Sequence, residues 1–189
     1  MTKLIVHSGE TAPWHALVVD AQAYRRIELG ESLEHYLVYL LHGFCTKPDI
    51  VSSILGIEFL ESLQSRDKER SQALRAVGDK CLFLSGLFPS RAKRFALNLS
   101  YFVDIGQSAY FSAAQSTSQG DILSLLSAEF IKVMDVMHGI REVAKNEPLI
   151  KQLEAIQLWH DTGDDHALVI AKRFGNDNLI LDEAKDKPN

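Results

Sequence analysis

Residues 77–110, VGDKCLFLSGLFPSRAKRFALNLSYFVDIGQSAY, decide the reading of the fold. Leu74, Val77, Cys81 and Leu84 fall on one helical seam, and Gly86 and Pro89 then stop the helix. A basic turn, Ser90-Arg91-Ala92-Lys93-Arg94, follows. The return segment carries Leu99, Phe102, Gly106, Tyr110 and Ala113 at helical steps. Its small residues Gly106, Ala109, Ala113 and Ala114 allow another helix to come close. A buried helix, a hard stop and a close-packed return helix are the expected result.

The same period runs along most of the chain, and alternating strand patterns are scarce; Leu4-Ile5-Val6 is the one short extended candidate. A first helix opens after Thr11, with Pro13 in its first turn, and runs to about Arg26 on the apolar side Trp14, Leu17, Val18, Ala21 and Tyr24. A second starts near Gly30–Ser32 with Leu33, Leu37, Leu40 and Phe44 as its seam. Pro48 breaks it before an apolar segment, residues 50–63, in which Gly56 weakens the helix. The run SRDKERSQ reads as a charged connector. After the polar run QSTSQG comes the clearest helix, with Leu123, Leu126, Phe130, Val133, Met137, Ile140 and Ala144 in strict alternation and Asp121 as candidate N-cap. Asn146 and Pro148 mark the start of a further helix carrying Leu149, Leu153, Ile156 and His160, and a last short one occupies residues 164–174 before Gly175. These elements predict an all-α fold, a single-domain irregular multi-helix bundle over residues 1–175, with residues 176–189 as a polar C-terminal tail.

Composition narrows the function classes. The 189 residues are 46% hydrophobic, enough for one buried core, and the net charge of −5 gives no general attraction to nucleic acid or anionic membrane. No segment approaches the apolar length of a membrane span, and the N-terminus lacks the apolar core of a signal peptide, so a cytoplasmic protein is expected. Cys45 and Cys81 sit in apolar surroundings and read as small core residues.

Several constellations invite chemistry. His35, Tyr39 and His42 share a face of the second helix with Val38, opposite its leucine seam, and form a pocket candidate together with Glu58 and Glu61. His35 and His42 are two turns apart, about 10 Å at the helical rise, so this helix alone cannot bring both to one metal. Asp135-Val-Met-His138 matches one carboxylate–histidine pair of a di-iron bundle, but no second such pair occurs. The heptad register places Asp135 and His138 away from the apolar seam, as a surface ion pair. His160-Asp161 resembles the histidine–aspartate pair of metal-dependent phosphohydrolases; a cap by Asp161 or Thr162 for the next helix fits it better, with His166 in that helix's exposed first turn. No nucleophile elbow, Walker A or dinucleotide fingerprint occurs. Ser90, Arg91, Lys93 and Arg94 form the one concentrated basic feature, an anion-binding or partner-binding candidate.

The block GDKCLFLSGLFP…SYFVDIGQSAY, echoed by the Thr-Gly-Asp start of the last helix, resembles a family of uncharacterised bacterial, mainly proteobacterial, helical proteins. That resemblance implies a bacterial cytosolic protein of one helical domain and brings no catalytic residue. The function expected from the residues is a non-catalytic helical interaction or regulatory protein, without metal or cofactor, acting through a protein partner or self-association as a homodimer. The alternative is a helical-bundle metal-binding enzyme or small apolar-ligand carrier with its pocket near His35, Tyr39 and His42.

Overall fold

The computed structural model describes residues 11–46, 67–89, 98–117, 120–145 and 152–174, together with Phe59 and Glu61. Within that set the chain forms eight helices and no strand, an all-α multi-helix fold. They are α1 (Ala12–Arg25), α2 (Glu31–Thr46), α3 (Asp67–Gly86), α4 (Leu99–Ala114), α5 (Gly120–Ala128), α6 (Phe130–Lys145), α7 (Gln152–Thr162) and α8 (Asp165–Phe174). The extended candidate at Leu4–Val6, most of the 50–63 segment, the Asn146–Pro148 start, the tail and the side chains of Phe44 and Cys45 lie outside the described residues.

Local chemistry sets several boundaries. Pro13 occupies the first turn of α1, and Arg26 closes it in the left-handed conformation at φ 57°. Gly86 ends α3, as its stop signal requires. The connector SRDKERSQ is not a linker, because α3 already begins at Asp67 and takes in all but its first two residues. The long seam helix is divided at Glu129 into α5 and α6, although Glu129 N still donates to Leu125 O at 2.8 Å. Asp121 lies inside the first turn of α5 and does not cap it. Between α7 and α8, Gly163 takes φ +73°, and Asp164 caps α8 by accepting from the amides of His166 (2.9 Å) and Ala167 (3.1 Å). The cap is therefore Asp164, while the Thr162 hydroxyl turns back onto Leu158 O at 2.6 Å.

The most extensive packing is α3 against α4, which is the helix and its return helix; α4 on α5, α1 on α6, and α7 on α8 follow. Leu74, Val77, Cys81 and Leu84 from α3 and Leu99, Phe102, Gly106, Tyr110 and Ala113 from α4 are all buried. Full burial of Phe83, Phe102, Tyr110 and Phe130 contributes about 1.5–3 kcal/mol for each ring. Two segments have no outward face: every residue from Cys81 to Leu87, and every residue from Val133 to Ile140, is buried. The C-terminal end of α3 and the middle of α6 are thus the centre of the molecule.

Candidate functional site

His35 and Tyr39 are exposed on α2, His42 is half-buried, and Glu61 is exposed. Glu58 and the basic turn Ser90, Arg91, Lys93 and Arg94 lie outside the described residues. The helix face that α2 buries is instead Leu33, Tyr36, Leu37, Val38 and Leu41. His160 and Asp161 are exposed and 3.2 Å apart, and Asp161 is held below the ordinary carboxylate range first by the Ser100 hydroxyl and then by His160.

Tyr36 introduces a polar cluster at the junction of α2, α3 and α4. Its hydroxyl donates to Asp79 Oδ1 at 2.5 Å, and the hydroxyl of Tyr110 donates to the same oxygen at 2.7 Å. Arg75 lies across the Tyr36 ring, 5.0 Å from its centre, and its Nε donates to the Tyr36 oxygen at 3.0 Å. Tyr110 meets Tyr36 edge-on at 6.4 Å between ring centres. This fit needs Gly78, since a Cβ there would sit 2.7–2.9 Å from three atoms of the Tyr110 ring. Burial pushes the Asp79 carboxyl above its ordinary range against the opposing pull of both phenols and Arg75. Burial and the neighbouring Asp79 raise both phenols, so they act as donors and not as bases.

The outer side of this cluster is the wall of an open cleft of about 450 Å³, lined by Ser32, Tyr36, Arg75, Asp121, Ile122 and Leu125. A second cleft, about 290 Å³, shares Ser32 and Leu125 and continues past Glu28, Glu31, Glu129 and Lys132. Together they make one groove between the start of α2 and α5. Its two cations are already engaged, Arg75 with Tyr36 and Lys132 with Glu129. Glu28, Glu31 and Asp121 are exposed and form no ion pair with a described residue, and Leu125 is 44% exposed between them. The groove therefore combines an apolar floor with negative charge that is unpaired among the described residues.

On the far side of the core, α1, α6 and the start of α8 enclose an array of ionisable groups. The Asp135–His138 pair is buried, at 5% and 1% exposure, which corrects the surface reading. The reason is that α6 is surrounded over residues 133–140, so the heptad's outer positions face other helices. His138 Nε2 lies 2.8 Å from Ser85 O; a carbonyl only accepts, so this nitrogen carries the proton. His138 Nδ1 is 3.8 Å from Asp135 Oδ1. The Arg25 guanidinium is wholly enclosed, with Nη1 3.8 Å from Asp135 and Nη2 3.4 Å from Glu142. Burial lowers its pKa, and Glu142, Asp135 and Asp164 counter that. It can lie there because Gly139 has no side chain: a Cβ would stand 2.8 Å from Arg25 Cγ. His166 is half-buried, with Nε2 3.8 Å from Glu142, and is not an exposed first-turn residue. Asp164 completes the array, and its carboxyl is raised to about 7, chiefly by burial and then by Asp135.

Sequence reasoning missed Arg25, Glu142 and Asp164. A signal was present in Asp135, His138 and Glu142 at i, i+3 and i+7, one stripe of α6. Among the described residues no group of three or more histidine, cysteine or carboxylate side chains has metal-holding geometry. No described helix is long and apolar enough to cross a membrane. Comparison of the chain with protein families, curated proteins and solved structures finds no match.

Proposed function

We propose that this chain is a non-catalytic helical interaction protein of the bacterial cytoplasm, and that its partner presents a basic amphipathic segment to the groove between α2 and α5. The observation that carries this reading is the charge balance of the groove: among the described residues Glu28, Glu31 and Asp121 have no ion-pair partner around exposed Leu125, while Arg75 and Lys132 are internally engaged. An apolar stripe flanked by Lys or Arg would cover Leu125 and Ile122 and meet those carboxylates. The nine residues of α5 span about 13 Å at the helical rise, room for two to three turns of a docked helix. The tyrosine–aspartate–arginine cluster behind the groove fixes its wall, so little ordering cost falls on binding.

A metal or carrier pocket at His35, Tyr39 and His42 has less support, because His35 and Tyr39 are exposed and the groove is lined by other residues.

A synthetic amphipathic helix of Leu and Lys, titrated against labelled protein, tests the proposal by amide shift changes, with a Leu/Glu helix as control. Shifts should concentrate at Glu31, Ser32, Asp121 and Leu125, weaken with added salt, and be seen only with the basic peptide. Leu125→Glu, which leaves the core untouched, should weaken binding about tenfold or more, one decade being about 1.4 kcal/mol. Shifts scattered over the acidic surface, or binding indifferent to Leu125→Glu, would overturn the reading.

A further inference from the structure

We infer that the α7–α8 turn and α8 form a proton-controlled latch, seated on α1 and α6 through the buried array of Asp164, Asp135, Arg25, His138, Glu142 and His166. The inference is independent of the groove. It starts from an imbalance in how α8 is held. Among the described side chains of α8 only Ala167 and Ile170 are fully buried apolar anchors, while Val169 is 44% exposed. Helix α8 packs chiefly on α7, and its described links to α6 and α1 run through polar side chains, so the polar seat is what ties it to them.

That seat is built around Asp164, which is 1% exposed. One carboxyl oxygen caps α8 through two amides; the other, Oδ2, is buried with no donor group among the described residues. From α6 it meets Asp135, whose Oδ1 is also buried without a hydrogen bond, and His138; from α1 it meets Arg25. On its own helix His166 reaches toward Glu142, and from α7 the Thr162 hydroxyl oxygen accepts from the Asp164 amide at 3.3 Å. His160 and Asp161 of α7 are exposed and engaged with each other, away from the seat.

Two carboxyls enclosed together cannot both hold full charge at low cost, so the protonated form of Asp164 is the seated form. Its proton leaves at about pH 7, placing a second negative charge beside Asp135. Arg25 cannot neutralise both, because it is shared with Glu142. The charged seat then favours release of α8, with Gly163, at φ +73° and with open space around it, as the hinge.

Amide hydrogen exchange, corrected for its intrinsic pH dependence, tests the latch on the full chain. Protection of residues 165–174 should fall about tenfold between pH 6 and pH 8, while α3 and α4 hold theirs. Asp164→Asn, which keeps a capping side chain without the charge, should keep α8 protected at both pH values. Equal pH profiles for the parent and Asp164→Asn, or a flat parent profile, would overturn the latch. Should that variant fail to fold, a carboxyl-carbon titration of the parent decides: a midpoint near 7 for Asp164 supports it, and one in the ordinary carboxylate range refutes it.

Discussion

The imidazole of His138 donates to the backbone carbonyl of Ser85 at 2.8 Å, joining the centre of α6 to the end of α3. Ser85 belongs to the last turn of α3, where carbonyls have no partner within the helix. A side chain from a different helix therefore closes α3, next to the stop at Gly86 and Pro89. The Ser85 hydroxyl is itself turned inward onto Cys81 O at 2.8 Å, so the terminus is sealed from both sides.

Replacing His138 by Ala should cost about 1–3 kcal/mol for the orphaned carbonyl alone, with a cavity cost added to it. His138→Gln restores a donor and should recover part of that loss. Urea midpoints of the two variants, with unchanged slopes, provide the comparison. Equal loss in both would show that shape, not the hydrogen bond, sets the cost.

Arg25→Met keeps the apolar stem but removes the cation from between Asp135 and Glu142. Breaking a buried pair from one side costs about 3–5 kcal/mol, so this single change should lower the denaturation midpoint severely. Adding Asp135→Asn and Glu142→Gln should return most of the stability. A triple variant no better than the single one would mean that packing against Gly139 matters more than charge.

Tyr36 and Tyr110 share one acceptor, and their contributions should therefore be coupled. Each Tyr→Phe change is expected to cost about 1.5–3 kcal/mol, as for a hydrogen bond to a charged group. The double variant should depart from additivity by about 0.5 kcal/mol or more, measured in a mutant cycle. Strict additivity would contradict the shared-acceptor geometry.

Gly78→Ala sets two effects against each other. Helix propensity favours alanine by about 1 kcal/mol. The new Cβ would meet the Tyr110 ring at 2.7–2.9 Å, and that ring is fixed by its bond to Asp79. Overpacking of this kind costs about 1–3 kcal/mol, so a net loss is expected. The same change in a Tyr110→Ala background should be neutral or favourable, as thermal unfolding of both pairs would show.

The pH dependence of stability follows from Asp164. Its folded value of about 7 lies above the ordinary 3.8, so the folded state holds its proton more tightly than the unfolded chain. This group's contribution is fully present below about pH 4 and is lost as pH rises through about 7. Relative to Asp164→Asn, the parent should lose stability steadily from pH 5 to pH 8 in urea unfolding. A constant difference across that range would refute the assignment.

Much of the fold was legible in the chain because helix ends and seams are local properties. Pro13 marked the first turn of α1, Gly86 marked the stop of α3, and the seams of α3 and α4 reappear buried residue for residue. Polar residues were harder. Heptad register assigned Asp135 and His138 to the outside on the premise that a helix has one buried side. Among apolar candidates the same premise failed for Tyr24, which is 51% exposed while its neighbour Arg25 is enclosed. The His35, Tyr39 and His42 stripe was identifiable as a pattern, but whether it met a neighbour depended on which side of α2 receives α1 and α5.

The sequence by itself determined an all-α chain, its principal breaks and the close pairing of the helix before Gly86 with the one that returns through Gly106. These follow from backbone preferences and side-chain period, which act over a few residues. Tertiary structure alone decided that Tyr36, Asp79 and Tyr110, up to 74 positions apart in the numbering, share one hydrogen-bond centre. It likewise brought Arg25 and Asp164, from opposite ends of the chain, to the same stripe of α6. Burial and charge proximity arise only when distant helices meet, and on them depend both the wall of the groove and the seat of α8.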